Sequence, residues 1–183
     1  MPPYCDCTKP FIMDWTVLPA KVAAKAWIDP QFRQALLAEP MEPIHSMMRK
    51  SVPPEGVTFC VHENTESVRH FPLPAIQDSM ADLPRDVLKQ KVEEETGDAT
   101  DFEYFLPAAV IFRALVDPAY RACLLTDVDA TLRADGFSLE SFGVQIHENT
   151  ALVQHLALPV NAWRDEPLDY DALVQKSFER MLA

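Results

Sequence analysis

Glycine is scarce in this chain of 183 residues: there are 4, and no two stand as Gly-x-Gly. The backbone therefore lacks the close-approach positions that a dinucleotide fingerprint or a Walker loop uses to wrap phosphate, and both are excluded. Positive charge is also short, with 16 Lys plus Arg against 28 Asp plus Glu and a formal net charge of −12. Such a chain repels phosphate, which argues against nucleic acid and against anionic membranes as partners. There are 4 cysteines, Cys5, Cys7, Cys60 and Cys123, too few to build a disulfide scaffold. No apolar run approaches the ~20 residues of a membrane-spanning helix. The longest, Ala108 to Val116, is broken by Arg113. The N-terminal Met-Pro-Pro-Tyr-Cys-Asp-Cys has neither the basic region nor the apolar region of a signal peptide. These absences predict a cytoplasmic protein with free thiols. Proline is abundant at 16, and it should mark helix starts and segment ends.

What is present is repetition. Shifted by 88, Leu18–Leu37 lies on Leu106–Leu125 with 10 of 20 positions identical. Shifted by 85, Val61–Pro74 lies on Ile146–Pro159 with 8 of 14 identical, including His62-Glu63-Asn64-Thr65 on His147-Glu148-Asn149-Thr150 and His70 on His155. Two collinear blocks of this kind indicate a tandem duplication.

Each copy reads alike. Leu-Pro opens a helix that ends near Trp27 or Leu115. Asp29-Pro30 and Asp117-Pro118 then supply an N-cap and a proline at the first helical position, which starts a second helix. A further short helix follows, over Pro43–Lys50 or Asp129–Ala134. The β-branched runs Gly56–His62 and Gly143–His147, the turn-forming Asn-Thr, and the returns Val68–Leu73 and Val153–Leu158 read as β-hairpins. Charged helices follow at Pro84–Glu95 and Tyr170–Leu182. The expected fold is α+β: a tail (1–17) and two helix–helix–β-hairpin units (18–98 and 99–183), joined near the acidic run Glu93–Asp98. A lone hairpin is marginal in water. The units should therefore pair about a pseudo-twofold and merge their hairpins into an antiparallel sheet with helices on it.

The pattern Trp-x-Asp-Pro-x-Phe-Arg-x-x-Leu-Leu, from Trp27 to Leu37, followed by Glu63-Asn64-Thr65, resembles the nitrile hydratase α subunit, the related thiocyanate hydrolase subunit, and the nitrile-hydratase-like leader peptides of ribosomally made natural products. The second copy keeps Asp117-Pro118, Tyr120-Arg121 and Glu148-Asn149-Thr150, with Leu115 in place of the Trp. The resemblance implies, for the enzymes, a metal claw Cys-x-x-Cys-Ser-Cys just after the second strand, holding iron or cobalt on thiolates and backbone amides. The corresponding segments here, 71–75 and 156–160, contain no cysteine and end in Leu-Pro. No catalytic residue, metal ligand or cofactor is therefore carried over. The resemblance implies instead a non-enzymatic, leader-like or precursor-type protein from a cluster making thiazole/oxazole-modified microcins, a bacteriocin class. Its partners would be modifying or export proteins. The alternatives are a nitrile hydratase-type hydro-lyase subunit and a stand-alone interaction module, including a homodimer.

The local candidates are few. Cys5-x-Cys7 offers two soft donors for a metal, or two modifiable thiols, in a tail. His62, His70, His147 and His155 offer four imidazoles. In a hairpin with a two-residue loop, however, the two histidines of one copy point to opposite faces and cannot chelate together, which leaves open a site shared between the two hairpins. Glu63 and Glu148 have the chemistry of a general base but sit at a turn, beside Asn64, Thr65, Asn149 and Thr150. These residues form the repeated motif and, with Trp27, a candidate recognition surface. Trp27, Phe32, Leu36 and Leu37 read as core.

Overall fold

A computed structural model describes residues 17–48, 55–76, 80, 82–96, 106–139 and 141–182. Cys5 and Cys7 lie outside the described residues. The chain runs α1 (Val17–Ile28), α2 (Pro30–Ala38), α3 (Met41–Met48), β1 (Thr58–Glu63), β2 (Val68–Leu73), α4 (Arg85–Thr96), α5 (Ala108–Val116), α6 (Pro118–Thr126), α7 (Val128–Ala134), β3 (Gly143–Glu148), β4 (Val153–Leu158) and α8 (Tyr170–Leu182). The α+β class expected from the pattern is the one observed. The acidic run begins inside α4, which extends to Thr96, so residues 93–96 are helix end and not linker.

The Asp-Pro junctions work as local chemistry requires. The Asp29 carboxylate accepts from the backbone N–H of Gln31 and Phe32 at 3.1 and 3.0 Å, and Asp117 accepts from Tyr120 at 3.0 Å. Each cap satisfies helix N–H groups that have no intrahelical acceptor, while Pro30 and Pro118 have no N–H to lose. The Lys25 ammonium beside Asp29 holds its carboxyl below the usual carboxylate range.

The hairpins do not form. β1 pairs in parallel with β4, Thr58 opposite Val153 through Glu63 opposite Leu158. β2 pairs in parallel with β3, Val68 opposite Gly143 through Leu73 opposite Glu148. The expected antiparallel sheet is thus replaced by two parallel two-stranded sheets, with paired residues 95 positions apart in β1–β4 and 75 apart in β2–β3. The reason lies in the Glu-Asn-Thr segment. The Asn64 N–H extends the β1–β4 ladder by donating to Leu158 O at 2.9 Å, while its Oδ1 accepts from His70 N in β2 at 2.7 Å. Asn149 does the same with Leu73 O and His155 N, at 2.9 and 2.7 Å. Thr65 and Thr150 close the turn, each Oγ1 accepting from the N–H three residues on. The asparagine amide therefore occupies the polar partners that a hairpin ladder would use, and it hands the chain from one sheet to the other.

The two sheets carry separate cores. Val22, Ala26, Leu36 and Ile44 from α1–α3 close over Phe59 of β1 and Leu158 of β4. Leu88, Val92, Val110, Leu124 and Leu132 from α4–α7 close over Phe71 and Leu73 of β2 and Val144 of β3. Side chains alternate across a strand, so Cys60, His62, His70, Gln145, His147 and His155 point away from these helices. Two residues depart from the expected core. Leu37 is 38% exposed, one step round the helix from the fully buried Leu36, and Trp27 is only half-buried.

Asn64 is 6% exposed, so Asn64→Ala leaves the His70 N–H buried without its acceptor. The expected loss is about 1–3 kcal/mol. It would be read as a lower urea midpoint at unchanged slope, and an unchanged midpoint would show that the handover contributes nothing.

Candidate site: four histidines between two sheets

The handover brings together what a hairpin would separate. Because β1 and β2 belong to different sheets, the faces that turn away from the helices meet each other, and one histidine arrives from each strand. His62 Nε2 lies 2.9 Å from His155 Nδ1 within the β1–β4 sheet. His70 Nδ1 lies 2.9 Å from His147 Nε2 within the β2–β3 sheet. Across the seam the rings of His62 and His147 stack, with centroids 3.6 Å apart and planes within 7°. The expectation that the two histidines of one copy point apart is overturned: His62 and His70 stack with centroids 5.2 Å apart.

All four rings are half-buried. Among the described residues none pairs with a carboxylate, and their side-chain hydrogen bonds are to each other. Burial, then the mutual repulsion of the rings' positive forms, pushes His62 and His147 down to about 4. Burial alone lowers His70 and His155. At neutral pH the set is therefore uncharged, and each close pair shares one proton between two ring nitrogens. One nitrogen on each of His62, His70 and His147 lies within 4.8 Å of the other two.

The remaining motif residues are positioning groups. Arg33 of α2 binds Glu63 at 2.6 Å through Nε and 2.5 Å through Nη2. Arg121 of α6 binds Glu148 at 2.8 Å through Nε. These pairs fix the ends of β1 and β3 beside the histidines, and they engage the two glutamates as ion-pair partners. The segments after β2 and β4, where the resemblance places a claw, are closed differently. Pro74 O accepts from Arg121 Nη2 at 2.8 Å, and Pro159 O accepts from Trp27 Nε1 at 3.2 Å. The Trp27 ring also packs edge-on against Trp163, centroids 5.8 Å apart. Leu73 and Leu158 point into the cores. A thiolate-held metal does not fit at either strand end. Arg121 Nη1 is buried there with no hydrogen-bond partner among the described residues.

The sequence profile of the family described as Nitrile hydratase, alpha chain, matches residues 15–88. The structure superimposes on a double histidine mutant of the Fe-type nitrile hydratase from Comamonas testosteroni Ni1 with a TM-score of 0.56 and 22% identity, over 90% of this chain and 70% of that one. This is a nitrile hydratase-like fold. A recombinant thiocyanate hydrolase with partially modified cobalt centres shares that fold, with a TM-score of 0.51 and 14% identity over 87% of this chain and 67% of that one. No curated protein matches the chain significantly. Within this nitrile hydratase-like fold no described helix is long and apolar enough to cross a membrane.

Of the site residues singled out in the sequence, His62 and His147 lie in the cluster and Glu63, Asn64, Thr65, Glu148, Asn149 and Thr150 frame it. Trp27 lies apart, at the end of β4. Sequence reasoning weighed all four histidines as ligands but ruled against a site within one copy, and it missed Arg33 and Arg121. The signal available was the equal spacing of the histidines in both copies. What it lacked was the exchange of strands.

The depressed histidines make stability depend on pH in one direction. Unfolded imidazole titrates near 6.5, whereas His62 and His147 titrate at about 4 when folded. Between those values the unfolded chain binds more protons, so stability is complete above about pH 6.5 and falls as pH drops toward 4. Denaturation midpoints measured across that range should show the fall, and it should be shallower in His62→Asn/His147→Asn. A flat profile in the unaltered protein would show that the cluster is not buried as described.

Proposed function

We propose that this chain is a hydro-lyase-type subunit of the nitrile hydratase class, working with a partner chain on small compounds that carry a C≡N bond. The observation that carries this reading is the fold, which matches nitrile hydratase over 90% of the chain. The thiocyanate hydrolase neighbour extends the same support to a second C≡N substrate. The match to an alpha-chain profile supports a partner chain. The iron or cobalt of such enzymes would not be held here by a claw, so no step is routed through one. At the end of β2 this chain supplies a guanidinium, Arg121, with the two N–H groups of its buried Nη1 still to satisfy, and the Glu148 carboxylate beside it. Those N–H groups are suited to hold an anion such as thiocyanate or a developing negative charge on nitrogen.

The leader-like reading has less support, since the neighbours named above are enzymes. One observation favours it: both strand ends carry buried Leu followed by Pro where thiolates would be required. On either reading the two halves are proposed to be pseudo-twofold mates, supported by strand registers that an 85-residue shift interconverts, Thr58 opposite Val153 becoming Gly143 opposite Val68.

The test is turnover. The chain co-expressed with its genomic neighbours and supplied with iron or cobalt should convert an aliphatic nitrile or thiocyanate, and Arg121→Lys should lower kcat/KM about tenfold or more. Folded, partner-bound protein without turnover would overturn the enzymatic reading. Capture of a peptide-modifying protein from the same cluster at ~10 µM would then favour the leader-like one.

A further inference from the structure

We propose that His62, His70, His147 and His155 form a binding site for one borderline divalent transition cation, of the Cu2+, Ni2+ or Zn2+ class. The inference stands on these four side chains and goes beyond the enzymatic reading, which places no residue of the cluster in catalysis. The donor set is pure imidazole, the ligand type that this group of cations prefers over hard oxygen donors. It is offered uncharged, which is the form that coordinates, so an ion can enter at neutral pH without driving a proton off each ring.

The donor atoms are grouped, while the rings, stacked within 22° of parallel, must turn for their in-plane lone pairs to converge on one ion. The candidate nitrogens of His62, His70 and His147 already lie within 4.8 Å of one another. Metal–nitrogen bonds of about 2.0–2.1 Å bring such atoms to roughly 3 Å apart. Rotation of the rings on a fixed backbone covers that difference, at the cost of the two ring-to-ring hydrogen bonds. The backbone is already held, since the N–H of His70 and of His155 is bound by Asn64 and Asn149. His155 reaches the group through its contact with His62 at 2.9 Å and can complete a four-nitrogen set. The rings are half-buried, so water can deliver the ion while the seam shields it. Among the described residues these four pair only with each other.

The experiment uses the full chain, stripped with chelator and titrated with Cu2+, Ni2+ and Zn2+ separately near pH 7.5 by calorimetry. Cu2+-loaded protein is also read by electron paramagnetic resonance. One ion per chain with a Kd of about 1 µM or tighter, together with hyperfine structure from several nitrogens, is the expected result. His62→Gln and His147→Gln should each weaken binding about tenfold to a hundredfold while circular dichroism shows the fold retained. If neither folds, His155→Gln is read in the same way. A Cys5→Ser/Cys7→Ser variant should bind as the unaltered chain does. The proposal is overturned by no binding at ~100 µM metal, by affinity unchanged in folded histidine variants, or by loss of the ion in the cysteine variant. Binding without turnover supports this site and leaves the enzymatic reading to fail separately. Turnover in a chain that binds no ion at the histidines overturns this site alone.

Discussion

The side-chain amide of an asparagine, placed where a chain leaves one sheet for another, is the contact on which the rest of this structure depends. Asn64 and Asn149 each keep their backbone N–H in one ladder while their Oδ1 accepts from a strand in the other. A strand that turned back on itself would satisfy those groups with its own return. With the amide oxygen already engaged, the return is displaced by one sheet and takes its ladder from the other half of the chain. Parallel pairing follows, because joining strands so distant in sequence leaves room for the intervening helices.

Two ion pairs and two capped carbonyls keep that exchange in register. Arg33 with Glu63 and Arg121 with Glu148 tie the second helix of each copy to the strand that enters the crossover. The pairs are chemically equal but not energetically equal. The Arg33 side chain is 46% exposed, while that of Arg121 is 7% exposed. An exposed pair contributes about 0–1 kcal/mol, whereas a buried guanidinium that lost its partners would cost several times more. The strand-end carbonyls show the same divergence, Pro159 capped by an indole and Pro74 by a guanidinium. Leu115 stands where the first segment has Trp27, and there Arg121 reaches the carbonyl instead. Duplicated positions can thus hold one backbone geometry with different donors.

The histidine seam is a consequence of that geometry. Each sheet gives its apolar face to helices, so the other faces can only meet one another. Four imidazoles in van der Waals contact cannot all be charged, and burial lowers each of them. The neutral rings satisfy one another by sharing protons. That is stable without any ion, and it gathers four imidazole rings in a half-buried seam.

Much of this was legible in the residues. Asp29-Pro30 and Asp117-Pro118 dictated where helices break, because cap and proline chemistry act within a turn. Alternation fixed Val68–Leu73 and Val153–Leu158 as strands, and the missing thiolates at 71–75 and 156–160 excluded a claw. These are local statements about neighbours in the chain. Which strand pairs with which is not local. The same alternation fits a hairpin and an exchanged parallel ladder equally well, and only the competition for Asn64, Asn149 and the two helix layers separates them. Hence the sequence alone settled that four histidines recur at fixed spacing, and the tertiary structure alone decided that they touch. Facing side chains depend on which sheets stack, and that is set by how the whole chain buries its apolar surface.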